Sequence, residues 1–280
     1  MEKTTVVLGG TGKTGRRVVD RLLDQNRPVR AASRTGTPPF DWADQRTWPA
    51  LLENAAAAYI AYYPDLGSPE ATATIAAFTE LAVSGGVRRL VLLSGRGEEN
   101  VLPSEQVVRE SGVEWTIIRS SWLAQNFSED FLLEPVAHGE VVLPTGQIRE
   151  PFVDADDIAD IAVEALTGSR HAGELYEVTG PRLMTFADTV REIAQASGRD
   201  IRYVSVSIGE FAAGLRQQGM PEEHIPFFAD LFERVLDGRN EHLTDGVERA
   251  LGRPPRDFAD YAKSTAATGV WGLPSDASQT

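Results

Sequence analysis

Gly9, Gly12 and Gly15 stand at every third position between the apolar run Val6-Val7-Leu8 and the stretch "TGRRVVDRLL", whose apolar residues recur at helical spacing. Gly10, Gly12 and Gly15 at the same time read G-x-G-x-x-G. After a strand and at the opening of a helix, such glycines allow a tight turn. They also let backbone N–H groups approach a pyrophosphate, with the helix dipole adding attraction. Gly9, Gly10, Thr11, Gly12, Lys13, Thr14 and Gly15 are therefore the candidate dinucleotide-binding loop. The P-loop spacing, a glycine followed after four residues by Gly-Lys-Ser/Thr, is not met. The end of the next strand reads "RAASRTG", with Ser33 and Arg34 where an NAD-binding unit typically carries Asp or Glu for the ribose hydroxyls. A hydroxyl beside a guanidinium suits a 2′-phosphate and favours NADP(H) over NAD(H). The alternative is that Arg34 is a solvated loop arginine.

Such a loop needs a parallel sheet behind it, and the first half of the chain has the pattern of one, short β-branched runs alternating with amphipathic runs. The reading predicts strands at Thr4–Leu8, Val29–Ala32, Ala58–Ala61, Arg89–Leu93 and Trp115–Ile118, with helices at Thr14–Gln25, Thr47–Leu52, Pro69–Ser84 and Pro103–Ser111. Beyond residue 120 it predicts a short extended pair, a helix capped by Asp154 or Asp156, and a strand in "GELYEVTGP". A further helix follows with Thr185 as N-cap and Gly198 near its C-cap, then a mainly helical region from about 200 to 262 and a frayed tail "SDASQT". The fold class is α/β, a doubly wound Rossmann sheet with a smaller, partly helical C-terminal lobe. Residues 1–150 form the NAD(P)-binding domain, about 151–180 add to its sheet, and 181–280 form the substrate lobe.

A formal charge of −14 argues against nucleic-acid and anionic-membrane partners, which require clustered Lys and Arg. The absence of cysteine removes disulfides and thiolate chemistry. The four histidines, at 138, 171, 224 and 242, lack metal-site spacing, so no metal is assigned. Asp154, Asp156 and Asp157 read as helix-start acids, and Asp188 with Glu192 as a solvated face. No basic leader precedes an apolar stretch and no run is long enough to span a bilayer, so the expected location is cytoplasmic. The expected state is a monomer or homodimer acting on a small molecule.

The glycine loop, "VRRLVLLSGRGEE", "SGVEWTIIRSSWLAQNF" and "FVDADDIADIAVEALT" together resemble the NmrA-like branch of the atypical short-chain dehydrogenases/reductases. Within it, "ASR" followed by "FDW", then "ENVLPSEQ" and the late "RPPRDFADYA", resemble the agroclavine dehydrogenase and festuclavine synthase group. The resemblance implies that Tyr62 and Tyr63, in Ala61–Asp65, line the adenine and ribose side, and that Ser94 holds the active-site serine position. It also implies that Trp122, Asn126 and Phe127 face the substrate. The residues themselves leave Trp122 and Phe127 open as core aromatics and Asn126 as a turn residue. Ser94 or Asn126 are the candidate donors to a substrate carbonyl.

The chain departs from the wider superfamily in one respect. None of its six tyrosines has lysine four residues on, and on the helix where relatives often carry lysine the nearest match is Gln106. Two readings fit a site without that proton relay. In one, the substrate is an iminium, enone or quinone-like acceptor that needs hydride and little proton help. Glu98, Glu99 and Asp130 are then candidate acids for a cationic substrate, or solvated surface charge. In the other, the protein is a non-catalytic redox sensor that binds the dinucleotide. The apolar run "IPFFADLFERVL" favours the enzyme, as a roof over a substrate cleft; the alternatives are an ordinary helix core or a partner face in a dimer.

Overall fold

The computed structural model of the chain describes residues 3–222, 225, 232, 233 and 235–272. They fall into two compact units, and each is built from its own core.

The first unit comprises residues up to Ser120, Ala155–Val178 and Thr244–Pro254. In chain order it starts with β1 (Thr4–Val7), α1 (Lys13–Asp24), β2 (Val29–Ala31), α2 (Trp48–Leu52), β3 (Ala55–Ile60), α3 (Ala71–Ser84), β4 (Arg89–Gly95), α4 (Leu102–Arg109) and β5 (Glu114–Ser120). Parallel strands covered on both faces need continuous apolar runs, and Val6, Val7, Ala57–Ile60, Leu90–Leu92, Ile117 and Ile118 are all buried. The predicted elements are present with shifted ends: β3 begins three residues earlier than expected, and β4 and β5 run on to Gly95 and Ser120.

After β5 the chain builds α5 (Asn126–Glu129), α6 (Leu133–His138), β6 (Glu140–Leu143) and β7 (Arg149–Glu150) in the second unit. It returns to the first with α7 (Ala155–Thr167) and β8 (Glu174–Val178). The sheet order is β2-β1-β3-β4-β5-β8, parallel throughout. The strand order reverses between β1 and β3, the topological switch point where a crevice opens at the carboxyl ends of a doubly wound sheet. Behind it α1 packs on α7. Arg21 bonds Asp156 and Asp160 at 2.6 Å each, and Arg253 reaches the fully buried Asp157 at 2.7 Å. The acids at the start of α7 thus form ion pairs that fasten helix to helix, beyond the capping expected of them.

The second unit continues with β9 (Met184–Thr185), α8 (Phe186–Ser197), β10 (Arg202–Ser205) and α9 (Ile208–Gln217), and closes with α11 (Phe258–Ala267). Before α11 the first unit receives α10 (Gly246–Leu251). Helix α8 starts and stops as its sequence predicts: Thr185 and Asp188 form a reciprocal capping box, and Gly198 ends it at φ +67°. Asp188 and Glu192 are not a bare solvated face, because Glu192 pairs with Arg182, which also grips Asp257. The expected extended pair does not pair with itself. Strand β6 adds to β10 in parallel and β7 to β9 antiparallel.

The division falls elsewhere than at residues 150 and 180. Residues 121–154 contribute Trp122, Phe127, Val136, Val141 and Phe152 to the second core, which groups them there. Residues 244–254 go to the first unit because Gly246 lets α10 close on β8: a Cβ at Gly246 would lie 2.0 Å from the Glu177 carbonyl oxygen.

Candidate active site and cofactor loop

The loop from β1 to α1 is built by close backbone approach. Gly9 sits at φ +67° and its carbonyl accepts from the Gly12 N–H at 2.9 Å. A Cβ on Gly15 would stand 2.2 Å from the Gly9 oxygen, and one on Gly10 would stand 2.9 Å from the Val7 oxygen. At Gly12 the nearest atom is 3.2 Å away, with φ −80°, so the fold itself demands less there. No side chain caps α1 and its first turn holds no acidic residue, so the positive end of the helix is left for an anion. Thr14 turns inward, where its oxygen accepts from the buried Tyr59 hydroxyl at 2.9 Å. Burial holds that phenol above its usual pKa, so it remains a donor.

Beyond β2, the Ser33 carbonyl accepts from the Gly36 and Phe40 N–H groups and shapes the turn that presents Arg34. Arg34 is exposed, and no described residue bonds or pairs with it. No carboxylate occurs at Ala32–Thr35. After β3, Tyr62 packs on Trp42 with ring centroids 5.0 Å apart, while Tyr63 is 71% exposed. These loops offer what a dinucleotide requires, a glycine cradle and an uncapped helix end, with an unengaged guanidinium beyond β2.

At the end of β4, the Ser94 hydroxyl donates to Glu105 of α4 at 2.7 Å. Glu105 is only 2% exposed, and Arg119 holds both its oxygens at 2.7 Å while reaching Glu177 at 3.1 Å. Ser94, Arg119 and Glu177 are in register across β4, β5 and β8, which is why one arginine can serve both acids. The hydroxyl expected to donate to a carbonyl is therefore already spent on Glu105. Gln106, the nearest match to the relatives' lysine, is exposed, and its neighbour Glu105, which the sequence did not single out, is the buried residue. The signal lay in the helical face: Ser104, Glu105 and Val108 are the buried residues of α4.

Glu98 and Asp65 occupy the neighbouring loops after β4 and β3. Asn100 joins these loops through a 2.8 Å bond to the Gly67 carbonyl, and Asp65 accepts from the Gly67 N–H at 2.7 Å. Burial, with the negative charge of Asp65 added, pushes the Glu98 carboxyl up to about 7. Burial also raises Asp65, against the effect of its Gly67 bond.

The residues implied for the substrate lie in the second unit. Trp122 is 9% exposed, its ring stacked on Phe232 at 5.8 Å and edge-on to Phe186. Asn126 opens α5 and is partly exposed. Phe127 is wholly buried against Phe152, Phe186 and Phe258, and its carbonyl accepts from the Trp271 indole at 2.7 Å. It is thus a core aromatic. Of the apolar run assigned to a roof, Phe227, Phe228 and Leu231 lie outside the described residues, as do His224 and the tail from 273 onward. Among the described residues, no group of three or more His, Asp or Glu could hold a metal ion, and no helix is long and apolar enough to cross a membrane.

No family model matches the chain. It is 30% identical to an NAD(P)H azoreductase of Xenophilus azovorans, with 94% of this chain and 98% of that protein aligned. It is 29% identical to an agroclavine dehydrogenase of Claviceps fusiformis, over 96% and 98% of the two chains. In three dimensions it matches an NADPH-dependent quinone oxidoreductase from Escherichia coli, solved with NADPH, at a TM-score of 0.77 and 19% identity over 93% and 99% of the chains. The agreement of full-length relatives with the fold and glycine loop settles the lineage: the chain belongs to the NmrA-like family of atypical short-chain dehydrogenases/reductases.

Proposed function

We propose that the protein is an NADP(H)-dependent oxidoreductase that reduces a small, electron-poor organic molecule such as an iminium, enone, quinone or azo compound. The observation that carries the reading is the uncapped α1 behind its glycine cradle, followed at the end of β2 by an unengaged Arg34 with no carboxylate beside it. Relatives named for azo reduction and for agroclavine dehydrogenation support chemistry over sensing.

In this reading the backbone of Gly9–Gly15 holds the pyrophosphate, with Thr14 contributing its N–H, and Ser33 and Arg34 hold the 2′-phosphate. Tyr62 and Tyr63 border the adenosine. Ser94 borders the reacting end, and Trp122 and Asn126 contact the substrate with Phe127 as their buried support. When bound, the reduced cofactor supplies a hydride. The residues orient it and exclude water, and no Tyr-x-x-x-Lys pair assists.

Calorimetric titration with NADPH, NADP⁺, NADH and NAD⁺, followed by an NADPH-oxidation screen of quinones, azo dyes, enones and iminiums, tests the reading. Preference for the phosphorylated pair with turnover of at least one class is the expected result. Strong discrimination by redox state without any turnover would replace the enzyme with a sensor.

A further inference from the structure

We propose that Glu98 is the proton donor of this reductase, taking over the task of the absent tyrosine–lysine relay from the loop after β4. The inference rests on the cofactor reading above and adds a residue to the reacting end of that site.

Three placements support it. First, the direction of the dinucleotide follows from the sheet. The pyrophosphate loop stands at β1, and Ser33 with Arg34 stands at β2 on one side of it, so the other half must extend past β3 toward β4 on the opposite side. The loop after β4 borders that half and carries Glu98, with Asp65, at the far end of the loop that holds Tyr62 and Tyr63, close to it.

Second, the Glu98 carboxyl folds back over the strand end. A Cβ on Gly95 would fall 1.8 Å from Glu98 Oε1, so glycine at that position is what lets the acid lie against the end of β4. No described residue hydrogen-bonds or ion-pairs with this half-buried carboxyl. Its proton is thus available to a ligand.

Third, Ser94, the hydroxyl at the same strand end, cannot do the same work, because it is committed to Glu105. The groups around Glu98 agree with a neutral acid. Asp65 adds negative charge, Glu99 beside it points to solvent, and Arg96 is turned to Glu177 at 3.7 Å. Burial and Asp65 together keep the carboxyl protonated up to about pH 7, where an acid catalyst works best.

The step balances simply. The Glu98 O–H bond breaks and the proton goes to the basic atom of the acceptor, while the hydride from the reduced cofactor supplies the electron pair to its partner atom. The carboxylate left behind takes a proton from solvent before the next turnover.

The test compares wild type, Glu98→Gln and Asp65→Asn. Carboxyl ¹³C NMR, with Glu98→Gln as the assignment control, reads the acid without cofactor. Calorimetry reads NADPH affinity, and single-turnover reduction of a 1,4-naphthoquinone and an azo dye reads the chemistry between pH 5.5 and 9. Expected are a carboxyl resonance titrating near 7 that moves lower in Asp65→Asn, and a wild-type rate that falls above the same pH. Glu98→Gln should bind NADPH within about threefold of wild type, lose on the order of 10²-fold in rate, and show no such limb. A Glu98 resonance titrating below about 5 would overturn the proposal, as would a Gln variant that binds NADPH and keeps the wild-type pH profile. Failure of the wild type to bind NADPH would instead remove the cofactor reading, and this proposal with it.

Discussion

The Ser94 hydroxyl donates to Glu105 at 2.7 Å, and Glu105 is in turn held at both oxygens by Arg119. The end of β4 is therefore locked to α4 and β5 by a buried carboxylate. The serine can only accept further hydrogen bonds, so the usual division of labour at this strand end does not apply.

The lock has an energetic signature. Glu105→Ala strips the partly buried Arg119 of its main partner and leaves Ser94 without an acceptor, which is expected to cost about 3 kcal/mol. Ser94→Ala loses one hydrogen bond to a charged group and should cost roughly 1–2 kcal/mol. Urea unfolding of the two variants checks the order. An equal cost for both would mean that the Arg119 pair contributes nothing beyond the serine bond.

The glycines of the first loop separate into those the fold needs and one the ligand needs. Gly15→Ala forces a methyl against the Gly9 backbone and should destabilise by about 2–3 kcal/mol. Gly12→Ala has an ordinary φ and a nearest neighbour at 3.2 Å, so it should fold while its methyl obstructs the phosphates. Thermal unfolding combined with NADPH calorimetry should show the first variant unstable, and the second stable with at least about tenfold weaker binding. Undiminished affinity in Gly12→Ala would place the pyrophosphate elsewhere.

These contrasts also mark what the sequence could carry. The glycine loop and the Thr185–Gly198 helix are legible because their chemistry is local: a turn, a cap and a left-handed stop lie within a few residues of one another. Glu105 is not, since choosing it over Gln106 requires the rotation of α4 against the sheet, about 100° per residue. The row of Ser94, Arg119 and Glu177 depends on register among three strands, and the partner of β6 arrives only with residues 202–205. The acids opening α7 looked like caps because the arginines that claim them lie on α1 and at Arg253. The choice between core and cavity stays open for Phe127 in the sequence because enclosure by Phe152, Phe186 and Phe258 is a property of packing.

Arg34 supplies a discriminating test of cofactor choice. Being exposed and unengaged, it contributes little to the fold, so Arg34→Ala should leave the melting temperature within about 1 °C. Removing a charge-assisted contact to a 2′-phosphate should weaken NADPH by roughly 10- to 100-fold and leave NADH nearly unchanged. Equal losses for both cofactors would refute the assigned role.

Glu98 makes stability depend on pH in an unusual direction for a carboxylate. Its carboxyl titrates at about 7 in the fold against an ordinary 4.5. Between those values the native state keeps a proton that the unfolded chain has lost, so its contribution is complete below about pH 4.5 and declines as pH rises through 7. The full shift corresponds to about 3 kcal/mol, and partial contact with solvent reduces this to roughly 1–2 kcal/mol. Glu98→Gln, neutral at every pH, should match wild type at pH 5 and exceed it by that amount at pH 8. Urea unfolding at both pH values measures the difference between the two proteins, which cancels every other titrating group they share. A wild type that holds its own against the glutamine variant at pH 8 would show that the carboxylate is not disfavoured in this loop.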